Sequence, residues 1–243
     1  MVRVFIDQNI ISHGVTLIGE KRQGVIGYVR KTPPPEPSPR KQFDCLPTIS
    51  HLASIGSIKL GSYDELRFEE LNRPRSFPYN LIGNLFHLKS LQFVKSAIDR
   101  SFFYAIPLQD YATTTALIEF CDWLTTPGLE KEILASEIIQ DFPESMLENI
   151  KNLERYRFLS KSLSSEQKVD AFHYWTAETN NFDYFLTMDR KFRNAMTDSK
   201  KVVSHCRIVL PSELLEKLGI SELIDFEFEE GVFYGIGGNK LYL

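Results

Sequence analysis

The sequence predicts an α/β protein with a mainly parallel central sheet, for three reasons. Short apolar runs typical of buried strands occur near both ends of the chain, and helical patterns follow most of them. Such βαβ units join parallel strands through right-handed crossovers. Between the two groups of strands, residues 72–160 have the spacing of helices. With 243 residues, of which 43% are apolar, the chain is long enough to bury the core of one large domain.

The first part of the chain is expected to hold four strands and three helical segments. Its apolar residues fall in short stretches that glycine and proline separate. The proline run over 32–39 predicts a stiff extended connector, because proline fixes φ and cannot donate to a strand ladder. The expected order is a strand over 2–6, a helical turn over 9–13, a hairpin of strands over 15–20 and 25–31, a helix over 47–54, a strand over 57–60 and a helix over 62–71 that Ser62 caps.

The middle of the chain is expected to be helical. Apolar residues recur three or four positions apart over 80–99, 109–125, 129–140 and 143–163, and no strand pattern interrupts them. Strands resume after this block. We therefore interpret residues 72–160 as a helical insertion or cap rather than as a separate domain.

The last part of the chain returns to alternating strands and helices. Ser164 and Gln167 have the spacing of a capping box, and Pro211 and Gly219 mark the start and end of the last helix. The expected order is a helix from 164 to 180, a strand over 183–187, a helix over 190–196, a strand over 207–210, a helix over 211–219 and a terminal strand pair over 226–234 and 240–243. We divide a single domain of residues 1–243 into a core (1–71 and 161–220), the insertion and a C-terminal extension (221–243) that ends in a β hairpin.

Composition and charge restrict the class of protein. The sequence has neither a signal-peptide pattern nor the run of roughly 18 to 20 apolar residues that a membrane span needs, so we expect no membrane association and a cytoplasmic location. Its three cysteines lie far apart, which argues against a disulfide framework or a thiolate zinc site. The net charge of −4 gives no general attraction for nucleic acid. A candidate phosphate-binding strip consists of Lys21, Arg22, Arg30 and Lys31, although charges around a proline run are more typical of a solvated loop.

Acidic residues stand at four places along the chain. Asp7 and Asp189 follow strand-like runs, so both should lie at the carboxyl ends of buried strands, where ligands bind in open parallel sheets. Taken singly, Asp189 is typical of a helix N-cap, and Asp170 of a residue that faces solvent. Burying several like charges together is costly unless a divalent cation holds them, which favours a shared metal ion. The remaining place is a cluster of Glu65, Glu69 and Glu70.

Other chemistries fit the sequence less well. A phosphatase with an aspartate nucleophile needs a second aspartate two residues after the first, and Asn9 occupies that position. A serine hydrolase needs a Gly-x-Ser-x-Gly turn, which the sequence lacks. His173 is a possible metal ligand, although a single histidine on a helix usually packs and forms hydrogen bonds.

The order of the acidic motifs resembles that of the PIN-domain ribonuclease family. Residues 4–9 look like the first motif of the family, an apolar strand that ends in Asp with Asn two residues later. Residues 169–173 and then 183–192 look like its third and fourth motifs, and 207–215 like its last strand and following helix. The match covers roughly residues 1–13, 57–71 and 164–218.

This resemblance implies a three-layer α/β/α sandwich and the activity of a metal-dependent endoribonuclease, a hydrolase of phosphodiester bonds in RNA. One or two Mg²⁺ or Mn²⁺ ions would offset the negative charge that develops on the attacking and leaving oxygens. The residues that the resemblance assigns to this site are Asp7, Glu69, Asp170 and Asp189 as metal ligands and catalytic groups, with Asn9 and Thr187 in support.

The sequence does not decide which glutamate is the second acid of the site, nor which molecules the protein binds. We choose Glu69, but Glu65 and Glu70 stay open because the buried face of a short helix is ambiguous. RNA is the expected substrate, with DNA as an alternative, and an inhibitory protein partner, as for toxin-type members of the family, and a homodimer are further expectations. Typical PIN-domain proteins are shorter than this chain and lack the helical insertion. The resemblance therefore leaves the substrate and the regulation of this protein undecided. The alternative function is a non-catalytic nucleic-acid or protein-binding module that keeps the PIN-like fold.

Overall fold

The structure, a computed structural model, describes residues 1–71, 82–86, 91–104, 106–202 and 205–242, and of residues 70 and 71 it describes the backbone only. Within these ranges the strands are β1 (Val2–Ile6), β2 (Leu17–Arg22), β3 (Val25–Arg30), β4 (Ile58–Ser62), β5 (Leu91–Phe93), β6 (Tyr184–Leu186), β7 (Arg207–Val209), β8 (Phe233–Tyr234) and β9 (Lys240–Leu241). The helices are α1 (Gln8–Gly14), α2 (Pro37–Asp44), α3 (Leu46–Ser54), α4 (Asp64–Leu71), α5 (Leu108–Tyr111), α6 (Thr114–Trp123), α7 (Leu129–Ala135), α8 (Glu144–Lys151), α9 (Leu153–Ser160), α10 (Ser165–Thr179), α11 (Arg190–Asp198) and α12 (Pro211–Lys217).

Five of these strands form a parallel sheet in the order β5-β4-β1-β6-β7. β1 lies in the middle, and its residues Val4, Phe5 and Ile6 are fully buried. A strand that is apolar on both faces is typical of a parallel sheet covered by helices on two sides. The predicted α/β class with a mainly parallel sheet is therefore confirmed.

Helices cover both faces of this sheet. Side chains alternate along a strand, so Phe5 and Phe185 pack on one face with α6, α9 and α10. Val4 and Leu186 pack on the opposite face with α1, α2, α3 and α12. Two hydrophobic cores therefore lie on either side of one sheet, an arrangement that is consistent with a three-layer sandwich.

A second, antiparallel sheet joins the two ends of the chain in the order β2-β3-β8-β9. The predicted hairpin is present as β2 and β3, and its turn residues Gln23 and Gly24 both have positive φ, as a tight hairpin turn requires. The predicted C-terminal hairpin is also present, with strands shorter than expected. The pairing of β3 with β8, which makes one sheet of the two hairpins, was not predicted.

The prediction of a strand-free middle segment is wrong at its beginning. Leu91–Phe93 form β5, an edge strand of the parallel sheet, where we expected a helix over 80–99. Apolar residues three or four positions apart give this segment the pattern of a helix. Leu91 and Phe93 are also two positions apart, as in a strand, and pairing with β4 stabilises the strand conformation. The expectations for residues 80–81 and 87–90 lie outside the described residues.

The other helices of this segment are shorter than predicted, because each predicted range contains two shorter helices. The Thr113 side chain accepts a hydrogen bond from the Ala116 amide and starts α6 within the range predicted as one helix. Ser136 separates α7 from a 3₁₀ helix over Glu137–Asp141, and Asn152 separates α8 from α9. Among the described helices, none has the combination of length and apolar content that crossing a membrane needs.

The proline run differs from its prediction. Residues 31–36 have no regular structure, but α2 begins at Pro37 and contains Pro39 in its first turn. Proline is tolerated there because its missing N–H would have no partner within the helix. Ser62 is likewise the last residue of β4 rather than the cap of α4, which begins at Asp64.

Gly61 of β4 is required by close packing. A Cβ added to it would lie 2.1 Å from Cζ of Phe182, whose ring is fully buried. We expect Gly61→Ala to lower the free energy of unfolding by about 1–3 kcal/mol, measured by urea denaturation. Gly237→Ala is the control, since its nearest neighbouring atom would be 3.8 Å from the new Cβ. Equal stability of Gly61→Ala and the unsubstituted protein would show that the Phe182 ring moves aside without cost.

Candidate active site

The parallel sheet has its topological switch point between β1 and β6. From β1 the strand order continues to β4 and β5 on one side and to β6 and β7 on the other. In open parallel sheets, ligands bind in the crevice beyond the carboxyl ends of the strands at this point. Asp7 follows β1, and Thr187 and Asp189 follow β6. Three of the predicted site residues therefore lie at this crevice.

Asp7 is buried and firmly oriented. Its Oδ2 accepts hydrogen bonds from Asn9 Nδ2 at 2.6 Å and from Thr187 Oγ1 at 2.7 Å. Its Oδ1 accepts one from the Gln8 amide at 2.7 Å. Burial raises the pKa of Asp7, although the positive charge of His173 and the Thr187 hydrogen bond act in the opposite direction. Asn9 and Thr187 therefore fix the direction in which this carboxylate points.

Asp189 caps α11. Its Oδ1 accepts hydrogen bonds from the amides of Lys191 and Phe192 at 2.8 and 2.9 Å, so the N-cap interpretation holds. Its own amide donates to Thr187 Oγ1 at 3.0 Å, the hydroxyl that also donates to Asp7. Within the described residues, Oδ2 of Asp189 accepts no hydrogen bond. Capping uses one carboxylate oxygen and leaves the other for a ligand.

Asp170 of α10 is the acid whose negative charge is least compensated by neighbouring groups. No described residue donates a hydrogen bond to its carboxylate or forms a salt bridge with it. Burial, followed by the charge of Asp7, raises the pKa of Asp170 to about 8, and Asp189 and Glu69 add to this effect while His173 opposes it. The four acids predicted from the sequence are thus close enough to act on one another electrostatically.

Of the three glutamates considered for the second acid, Glu69 lies at this site. Its Oε1 is 2.9 Å from Nε2 of His173. Glu65 is instead engaged by Arg100, whose Nε and Nη2 each donate to a different carboxylate oxygen at 2.8 Å. The side chain of Glu70 lies outside the described residues.

Glu65 and Glu69 should respond differently to the same substitution. Glu65→Gln leaves Arg100, which is 1% exposed, without its charge partner, and we expect a loss of about 3–5 kcal/mol in the free energy of unfolding. Glu69→Gln keeps a hydrogen-bonding group at a partly exposed position and should change this free energy by less than about 1 kcal/mol. Chemical denaturation of both variants measures the difference, and an equal loss in the two would make Glu69 a structural residue.

His173 has a larger role than the sequence indicated. It is buried, with Nδ1 2.5 Å from the Tyr63 hydroxyl and Nε2 2.9 Å from Glu69. Burial lowers its pKa, but the charges of Glu69, Asp7 and Asp170 outweigh this and raise the pKa to about 9. His173 is therefore protonated at neutral pH and offsets part of the acidic charge. Its position three residues after Asp170, on one helical face, was the available signal.

The acids fit a divalent cation by their chemistry, but they are not arranged as a finished metal site. Mg²⁺ and Mn²⁺ bind carboxylate oxygens, and Asp170 and Asp189 retain oxygens without donors. The raised pKa of Asp170 is what a carboxylate shows when its charge is not compensated. Within the described ranges, however, no group of three or more His, Cys, Asp or Glu side chains is placed to hold a metal ion.

The predicted basic strip lies on and beside the antiparallel sheet rather than on the strands that carry the acids. Arg22 forms an ion pair with Glu20 at 2.7 Å. The Arg30 guanidinium stacks on Phe226, 4.2 Å from the ring centre. Both arginines of the strip thus have partners within the chain, which weakens the case for this strip as a phosphate-binding surface.

Comparison with known proteins identified no relative of this chain. No family model matches the sequence, and searches of curated proteins and of solved structures gave no significant match. The resemblance to PIN-domain ribonucleases therefore depends on the acidic motifs and their order.

Proposed function

We propose that this chain is a metal-dependent endoribonuclease with a PIN-like fold. The supporting observation is the convergence of Asp7, Asp170 and Asp189, which come from three distant parts of the sequence, at the switch point of a parallel sheet. Mutual repulsion of these acids opposes folding, so stability does not account for their presence. Titratable groups with perturbed pKa values in such a crevice are typical of functional sites.

The protein groups have separate roles in this proposal. Thr187 links two acids, because one hydroxyl donates to Asp7 and accepts from the amide of Asp189. His173 orients Glu69 through Nε2. Asp170 of α10 is the remaining acid of the proposed site, and no described residue donates a hydrogen bond to its carboxylate. These acids would hold a divalent cation, which attracts the phosphodiester anion, and the proposal requires no covalent protein nucleophile.

Mg²⁺ or Mn²⁺ is the cofactor in this proposal, held by Asp7, Glu69, Asp170 and Asp189. When bound, such an ion supplies Lewis-acid stabilisation of charge on phosphodiester oxygens and favours ionised water. A nearby cation favours the ionised form of Asp170, which is mostly protonated at neutral pH without metal because its pKa is raised to about 8. Binding should therefore release protons, and a calorimetric titration in buffers of different ionisation enthalpy would count them.

The direct test is cleavage of a labelled single-stranded RNA by the purified protein with added Mn²⁺ or Mg²⁺. We expect cleavage that EDTA stops and that returned metal restores, with DNA of the same sequence as the comparison substrate. Cleavage that persists at full rate in EDTA would contradict the proposal.

One observation favours the alternative of a non-catalytic binding module. His173 already supplies a positive charge among the acids without a metal ion. This alternative predicts that Mn²⁺ changes neither melting temperature nor RNA affinity. A rise in melting temperature with Mn²⁺ concentration would exclude it.

A further inference from the structure

A cavity of about 680 Å³ lies next to the acidic cluster. It is formed by α4, by β5 and the residues that follow it, and by segments near residues 99–111 and 143–146. Tyr63 connects it to the site, because this residue lines the cavity and its hydroxyl is 2.5 Å from His173. β5 contributes through its carboxyl end, the edge of the sheet that carries the acids. The aromatic residues of the lining are Tyr63, Phe68, Phe93, Phe102, Tyr104 and Tyr111.

The charges of the lining favour a neutral occupant. Glu65 is neutralised by Arg100, and Asp64 lies 3.1 Å from Arg67. Among the described residues of the lining, the remaining charged side chains are Asp99 and Lys95, one of each sign. Neither a phosphate nor a metal ion would therefore be favoured here, whereas a flat, uncharged group would lie against aromatic walls.

We propose that this cavity binds an unstacked base of a single-stranded nucleic acid, and this inference rests on the proposed nuclease function. Its volume is within the range of pockets that hold small ligands. Stacking on aromatic side chains accepts any base, because every base has a π face. Ser96, Ser101 and Asp99 line the cavity, and their side-chain oxygens are of the type that accepts hydrogen bonds from the amino groups of bases. A base held here would place its neighbouring phosphodiester towards the acids.

Phe93 is the residue through which the proposal can be tested without unfolding the protein. It is 39% exposed on the edge strand β5, and the Arg67 guanidinium is 5.0 Å from its ring centre. Phe158 of α9 is a matched control that does not line the cavity: it is 46% exposed, with the Arg155 guanidinium 5.7 Å from its ring centre. The two positions have the same residue type and similar exposure, and only Phe93 lines the cavity.

The experiment measures fluorescence anisotropy in EDTA with two labelled probes, a short single-stranded RNA and an abasic strand of the same length and charge. We expect the protein to bind the RNA roughly tenfold more tightly than the abasic strand. Phe93→Ala should abolish this difference, Phe93→Tyr should preserve it, and Phe158→Ala should leave it unchanged.

Equal binding of the two probes by the unsubstituted protein, or no measurable binding of either, would overturn the assignment. So would a difference that survives in Phe93→Ala or disappears in Phe158→Ala. The assay contains no metal and measures no cleavage. Its outcome is therefore independent of the metal-dependent cleavage assay, and failure of the base-binding assignment can be distinguished from failure of the nuclease proposal.

Discussion

We expect Asp170→Asn to lower metal-dependent cleavage of single-stranded RNA by about a thousandfold. Asparagine has nearly the same shape but removes the negative charge of the acid that has no hydrogen-bond donor among the described residues. Loss of several kcal/mol of metal-assisted charge stabilisation corresponds to about three powers of ten in rate. The initial rate of cleavage at saturating Mn²⁺ measures the effect, and circular dichroism checks the fold.

The control for this substitution is Glu166→Gln, an exposed change of the same kind in the first turn of the same helix, α10. It should retain the rate of the unsubstituted protein. If both variants cleave as fast as the unsubstituted protein, the cleavage comes from a contaminating nuclease or from other residues. In that case the acids at the switch point are not catalytic.

Local chemistry explains the elements that the sequence predicted well. Ser164 and Gln167 form the expected capping box, with both of its reciprocal hydrogen bonds. Asp7 and Asp189 lie at strand ends because apolar runs and helix starts on either side fix their position. In each case the residues that determine the structure are within a few positions of one another, so one window of sequence contains the whole signal.

Pairing between distant segments explains what the sequence did not predict. The strand β5 has only three residues and forms because it pairs with β4. The local sequence around β5 contains no signal of this pairing. Glu65 and Glu69 lie one helical turn apart on the same face of α4, so the sequence does not distinguish them. The salt bridge of Glu65 with Arg100, a residue from another segment, excludes Glu65 as the second acid of the site. The role of His173 likewise depends on Glu69, which is far away in sequence. Contacts of this kind arise from the tertiary structure and not from periodicity.

The metal-free protein should lose stability as the pH rises from about 4 to about 8. The pKa of Asp170 is raised from 3.8 to about 8 in the folded state, so in this window the unfolded chain releases a proton that the folded chain keeps. Each pH unit then favours the unfolded state by up to about 1.4 kcal/mol. His173, whose pKa is raised to about 9, acts in the same direction, because its stabilising charge is present below its usual pKa and is lost as the pH approaches 9.

Asp170→Asn should remove the larger part of this pH dependence. Near pH 4 the variant and the unsubstituted protein should be similar in stability, whereas at about pH 8 in EDTA the variant should be more stable by on the order of 5 kcal/mol. Urea denaturation across this range measures both, with Glu166→Gln as the control that follows the unsubstituted protein. Added Mn²⁺ should restore the stability of the unsubstituted protein at pH 8 but not raise that of Asp170→Asn to the same extent, because only the former retains all four acids. A variant that is less stable than the unsubstituted protein at pH 8 without metal would mean that Asp170 has a stabilising partner, and the acids would then not form a shared site.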